Sequence, residues 1–186
     1  MAYIEIVSQE DAEGKLEAVY SDIVKKRGQL SEVLMIQSLN PESIEKHVDL
    51  YMNVMFGKSP LRRVQREMIA VLVSLTNNCP YCIVHHGAAL QHFWKDETRL
   101  SRFKKAYQSA DLTEVDQLLC KYAVALTAVP DQVDGSHAEN MRKAGLTDRA
   151  ILDAALVVAY FNFVNRLVLG LGVNIEAAQG EGFHYD

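Results

Sequence analysis

Glu67, eleven residues, Cys79-Pro80-Tyr81-Cys82, three residues and His86 bring two thiols, an imidazole and a carboxylate into a pattern that suits one dithiol redox centre. Proline directly after Cys79 fits the first position of a helix, where its missing N–H would be unpaired anyway. That assignment makes Cys79 the N-cap and Cys82 a first-turn residue, with His86 its i+4 neighbour on the same face. The positive end of the helix dipole then favours a thiolate at Cys82. A thiol with a pKa of about 8.5 is only about 3% ionised at pH 7, and a drop of about two units raises this to roughly 75%. Nucleophilicity falls with pKa at a slope of about 0.4–0.5, so the net gain is only about threefold. If a peroxide is the substrate, its leaving oxygen also needs a proton, and general acid–base catalysis is typically worth about 10²–10⁴-fold. A Glu67–His86 relay can take the proton from Cys82 and return it to the departing oxygen. The second cysteine then closes a disulfide on the sulfenic acid before further oxidation.

These groups need two helices to position them. Val64, Met68, Val71, Leu72 and Leu75 recur at helical spacing, and Glu67 falls inside that apolar face. Arg62, Arg63 and Arg66 read as solvent-facing positions around it. A carboxylate among core positions has to be paired, protonated or used, because an unpaired buried charge is costly. An antiparallel return of the helix beginning at Cys79 would bring His86 to Glu67, and Arg166 is the competing structural partner.

Most of the remaining chain also reads as helix. Ala12, Leu16, Val19, Tyr20 and Ile23 form a stripe after Ser8, and Asn40-Pro41-Glu42 opens a helix carrying Ile44, Val48, Tyr51, Val54 and Met55. Residues 57–60 break it. Thr113-x-x-Asp116 and Ser136-x-x-Glu139 resemble capping boxes, and Thr147 caps a further helix through Leu156. No segment makes a convincing strand; only residues 3–7 alternate enough to be considered. Shifting the chain by 86 places Glu67 on Asp153 and Cys79 on Asn165, a weak internal repeat of helix pairs. The glycine-broken residues 179–186 read as an extended arm of a single domain spanning 1–186.

The Glu67, Cys79, Cys82 and His86 pattern, with Ser74-Leu75-Thr76-Asn77-Asn78 before it, resembles the alkylhydroperoxidase D (AhpD)-like branch of the carboxymuconolactone decarboxylase family. Val157-Val158-Ala159-Tyr160-Phe161-Asn162-Phe163-Val164-Asn165-Arg166, followed by Gly170-Leu171-Gly172-Val173, is similar to its peroxidase-related subgroup. The likeness covers about residues 30–178. It implies an all-α AhpD-like helical bundle, a homo-oligomer that is a trimer or hexamer, and cofactor-independent reduction of small hydroperoxides. By motif position Cys82 is the attacking thiol and Cys79 the resolving one, joined in a redox-active disulfide, with Glu67 and His86 as proton relay. A thioredoxin-like or lipoyl-type dithiol would be the reductant. Well-studied members carry a histidine just before the second cysteine, where this chain has Tyr81, a candidate pocket residue.

Other readings stand beside this one: buried structural thiols, a zinc site using Cys79, Cys82, His85 and His86, a lactone-acid enzyme of the namesake type, or a dithiol sensor. Four ligands within eight residues make a closed zinc tetrahedron hard to wrap. Asn162, Asn165 and Arg166 read as ties between helices, and His47, His92, His137 and His184 as surface or packing residues. Cys120 reads as core. Net charge of −5 without a basic stripe argues against nucleic acid. Three cysteines do not make a secreted disulfide framework. Early acidic residues argue against a signal peptide, and the longest apolar run, residues 154–161, is too short to span a bilayer. The expected location is a reducing cytoplasm. Apolar surface on more than one face of several helices points to a homo-oligomer, and closed symmetry to one built from dimers.

Overall fold

A computed structural model describes residues 2–173. The arm expected at 179–186 lies outside the described residues. Among them the architecture is all-α with no strand: α1 Gly14–Arg27, α2 Glu32–Met35, α3 Pro41–Tyr51, α4 Arg63–Thr76, α5 Pro80–Trp94, α6 Glu97–Lys105, α7 Glu114–Ala128, α8 Gly135–Lys143 and α9 Asp148–Leu171. A π-helical turn, Met52–Phe56, continues α3. It stops where a side chain at Gly57 would run into the Asn53 carbonyl.

At the centre lies α4, buried continuously from Gln65 to Ser74 and packed against α5, α7 and α9. Ile69, Val71 and Val73 have no exposed surface, and each such side chain contributes about 1.5–3 kcal/mol by leaving water. Pro80 sits at the first position of α5 with Cys79 as N-cap, as the sequence predicts. Asn40, Thr113 and Thr147 cap α3, α7 and α9 through their side chains.

Some expectations are corrected. Ser136 is not the cap of α8; Asp134 is, accepting from the Ser136 N–H at 2.9 Å, because a carboxylate one turn-start earlier reaches the free amide first. Asp116 does not close its capping box, since its carboxylate instead accepts from Gln65 Nε2 of α4 at 2.7 Å. The reading that no segment is a convincing strand holds among the described residues: in residues 3–7, Tyr3 N–H donates to Leu171 O, and Val7 N–H to Ser38 Oγ. The 86-residue shift maps the α4–α5 break onto the interior of α9, which runs unbroken, so the correspondence is confined to the first helix of each pair. That same helix has 24 residues with a mean hydropathy of 1.7 in its most apolar window, long and apolar enough to cross a membrane. The eight-residue run understates it, because Asn162 and Asn165 interrupt the run without lowering the average much. Its inner face packs into the core, Leu152, Leu156 and Phe163 form an exposed outer stripe, and Leu169 is exposed to one side of it.

Candidate active site

The corner between α4 and α5 places the two cysteines. Asn78 takes the left-handed conformation (φ 52°), which asparagine tolerates, and turns the chain so that Cys79 N–H donates to Ser74 O at 2.9 Å. Asn77 Nδ2 donates to both Asn162 Oδ1 and Asn165 Oδ1 at 3.0 Å, and Asn165 Nδ2 donates to Ser74 Oγ at 3.3 Å. Asn162 and Asn165 therefore tie α9 to the corner, as expected. Arg166 does not; it bonds Asn162 on its own helix.

Both thiols are reduced and buried. The Cys82 S–H donates to Cys79, and this bond outweighs burial to lower the Cys79 pKa. For Cys82 the same bond, then burial, then negative charge on Cys79 raise the pKa well above the ordinary value, although Asn165 and Ser74 hydrogen-bond it. The lowered pKa expected at Cys82 thus falls on Cys79 in the dithiol form. Once the first proton is lost, the two sulfurs share the other, and the helix dipole acts on both. Only Cys82 lines the adjoining cavity.

Glu67 and His86 meet as the antiparallel return of α5 suggested. His86 Nδ1 lies 2.8 Å from Glu67 Oε2, and the carboxylate has no exposed surface. Burial raises the Glu67 pKa, but the charge and hydrogen bond of His86, followed by those of Arg63, overcome it and hold the carboxyl below its ordinary range. Arg63 Nε and Nη2 both donate to Oε1, at 2.9 and 2.6 Å. This corrects the solvent-facing assignment of Arg63, and Arg66 needs the same correction. Arg66 is buried and donates to the carbonyls of Val54, Met55 and Leu61, two of which lie in the π-turn. Arg62 is exposed, and Arg166 is not the partner of Glu67.

With Nδ1 of His86 held by a carboxylate, Nε2 is the ring nitrogen left to exchange a proton, and the i+4 spacing puts the ring on the helix face that carries Cys82. A cavity of about 660 Å³, its mouth included, opens over these groups. Apolar and aromatic walls come from Val33, Leu34, Val48, Tyr51, Phe161 and Val164, and polar groups from Arg27, His47, Arg63, His85 and Tyr160. Tyr81 lines it as expected, its ring 4.4 Å from that of His85. Burial and the charge of His86 lower the His85 pKa to about 4.

His47 and Tyr160 are the residues that sequence reasoning missed. His47 Nε2 lies 2.8 Å from Tyr160 Oη, and its Nδ1 lies 2.8 Å from Gln37 Nε2. The signal for His47 was its place in the Ile44, Val48, Tyr51 stripe. No local spacing links it to Tyr160, 113 residues away. Cys120 is buried in the second core cluster, as read. Among the described residues, no three His, Cys, Asp or Glu side chains are grouped to hold a metal ion.

Residues 41–103, spanning α3 to α6, match the model of the carboxymuconolactone decarboxylase family. No curated protein matches the chain. Among solved structures, an uncharacterized peroxidase-related protein from Silicibacter sp. TM1040 is 28% identical with a TM-score of 0.81, over 97% of this chain and 92% of that one. A protein described as an alkylhydroperoxidase AhpD core, peroxidase-related, from Ralstonia eutropha JMP134 is 22% identical with a TM-score of 0.82, over 93% and 91%. A cysteine-to-alanine variant of the debrominase Bmp8, in complex with 2,3,4-tribromopyrrole, shares the fold at 20% identity and a TM-score of 0.78, over 96% of each chain.

Proposed function

We propose that this chain, whose residues 41–103 match the carboxymuconolactone decarboxylase family model and whose fold is that of AhpD-like, peroxidase-related proteins, is a thiol-dependent peroxidase that reduces hydroperoxides through Cys82 and Cys79. The observation that carries the reading is a cavity lined by Cys82 and by a histidine whose other nitrogen is held by a buried, ionised carboxylate. Nε2 of His86 takes the Cys82 proton. The Cys82 thiolate attacks the outer oxygen of R–O–O–H, an S–O bond forms and the O–O bond breaks. The alkoxide takes the proton from His86 and leaves as alcohol, while Cys82 becomes a sulfenic acid. Cys79, the more acidic of the two sulfurs, attacks Cys82 Sγ and releases water as the disulfide closes. An external dithiol, thioredoxin-like or lipoyl-type, then supplies two electrons and two protons. Glu67 keeps the His86 ring in the required tautomer and stabilises its transient charge.

Single-turnover oxidation tests this directly. Cys82→Ser should abolish hydroperoxide consumption, whereas Cys79→Ser should consume one equivalent and stop as sulfenic acid or pass to sulfinic acid. Equal consumption by wild type and both variants would exclude the reading.

One observation favours a second substrate. The rings of Tyr51, Tyr81, Tyr160 and Phe161 around the cavity suit a planar aromatic molecule, as 2,3,4-tribromopyrrole is in the Bmp8 complex. The same dithiol would then take bromine onto Cys82, the ring gaining a proton and bromide leaving as the disulfide closes. Bromide release without hydroperoxide turnover would select this alternative.

A further inference from the structure

Gln37 fixes the direction of a hydrogen-bond chain that ends in the cavity. Its Nε2 donates to the Val33 carbonyl at 2.8 Å, so the side-chain amide presents N–H rather than oxygen on that side. The second N–H of the same group meets His47 Nδ1 at 2.8 Å. Nδ1 therefore accepts, the ring proton sits on Nε2, and Nε2 donates to Tyr160 Oη. Burial, reinforced by the charge of Arg27, lowers the His47 pKa to about 4, which keeps this ring neutral near pH 7.

A phenol that accepts from His47 still has its own O–H to donate. Among the described residues Tyr160 has no acceptor for it, and its ring lines the cavity together with Cys82. A buried donor left without an acceptor is costly, which makes it a group prepared for a ligand. Burial, then the charges of Tyr51 and Cys82, raise the phenol pKa well above the ordinary value, so the proton is retained.

We propose that Tyr160, oriented by His47 and Gln37, is a catalytic hydrogen-bond donor to the substrate's leaving oxygen, and that the substrate is a compact organic hydroperoxide whose hydrocarbon part lies against Val48, Phe161 and Val164. The inference rests on the peroxidase reading. It adds a second stabilising group opposite the Glu67–His86 pair. As Cys82 attacks and the O–O bond lengthens, negative charge grows on the alkoxide oxygen; the Tyr160 O–H strengthens its bond to that oxygen while the proton that completes the alcohol comes from His86. Donors placed where charge develops are commonly worth about 10²–10³-fold in rate, and sharing the task with His86 puts the expected effect near the lower end.

Leaving-group dependence separates this role from a structural one. Wild type and Tyr160→Phe are compared in single-turnover oxidation by tert-butyl hydroperoxide, which expels an alkoxide, and by peroxybenzoic acid, which expels a carboxylate that needs little stabilisation. Tyr160→Phe should slow the first by about 30–100-fold and the second by no more than about twofold. Equal losses on both, or none on either, would overturn the proposal. A binding arm does not depend on turnover: 4-nitrophenolate, followed by its absorbance, should bind about tenfold more weakly to Tyr160→Phe, while 4-nitrotoluene binds both proteins equally. Unchanged 4-nitrophenolate affinity would overturn the donor role. If wild type consumes no hydroperoxide, the peroxidase reading fails, and weakened 4-nitrophenolate binding would still support Tyr160 as the group that holds a substrate oxygen.

Discussion

His86 on α5 and His47 on α3 face one cavity, and each has its Nδ1 fixed by a neighbour 2.8 Å away. At His86 the neighbour is a carboxylate, so Nδ1 carries the proton and Nε2 is left to accept one. At His47 it is an amide N–H, so Nδ1 is occupied as acceptor and Nε2 must donate. One side-chain type thus becomes a base in one wall and a relayed donor in the other. The difference lies wholly in the atom that meets Nδ1.

Changing that atom at His86 should have the larger effect. In Glu67→Gln, the two Arg63 N–H groups that now reach Oε1 would hold the amide oxygen, turning the amide N–H₂ toward His86. His86 would then resemble His47, with Nδ1 accepting and Nε2 protonated, and could not take the Cys82 proton. Single-turnover thiol oxidation should fall by about 10²–10⁴-fold with the fold intact by circular dichroism. A loss under threefold would show that the tautomer is not what matters.

His47 also leaves a mark on stability. Its pKa falls from 6.5 to about 4 on folding. The unfolded chain therefore binds the extra proton between these values, and the stabilisation is full above pH 6.5 and lost as pH falls toward 4. That difference corresponds to roughly 3 kcal/mol, and His85 contributes with the same sign. Urea midpoints measured from pH 7 to 4 should drop, and His47→Gln should flatten part of that slope.

Converting His47 into a counterpart of His86 should have the smallest effect on rate. In Gln37→Glu, a carboxylate would accept a hydrogen bond from Nδ1–H, leaving Nε2 to accept from Tyr160 and turning the phenol O–H away from the cavity. Oxidation by tert-butyl hydroperoxide should slow by about tenfold, and the His47 pKa should rise from about 4 in an NMR titration. An unchanged titration would show that the chain does not run as described.

The ease of reading the two walls from sequence differed for the same physical reason. Glu67, Cys79, Cys82 and His86 lie on consecutive helices joined by a short turn, so helical spacing and Pro80 were enough to bring them together. The Glu67 contact to His86 followed from an antiparallel return alone. His47 and Tyr160 meet only through tertiary packing of α3 on α9, and Tyr160 was concealed inside an apolar run. Arg63 and Arg66 were misassigned because charge argued for solvent. A guanidinium that meets a buried carboxylate or three backbone carbonyls satisfies its donors in the interior. The proton order of the cysteines was also hidden, since it depends on which sulfur donates to the other.

A turn of π-helix takes up about one residue more than an α-turn. The stretch Met52–Phe56 therefore works as a phase setting between α3, with His47 and Tyr51 on its cavity side, and α4, with Glu67. Deleting one of those five residues would make the local backbone more regular. It would also rotate α3 by about 100° against α4, carrying His47 and Tyr51 out of the cavity wall. The spacing of the two walls is counted in residues, so a locally better helix here would be a disassembled site.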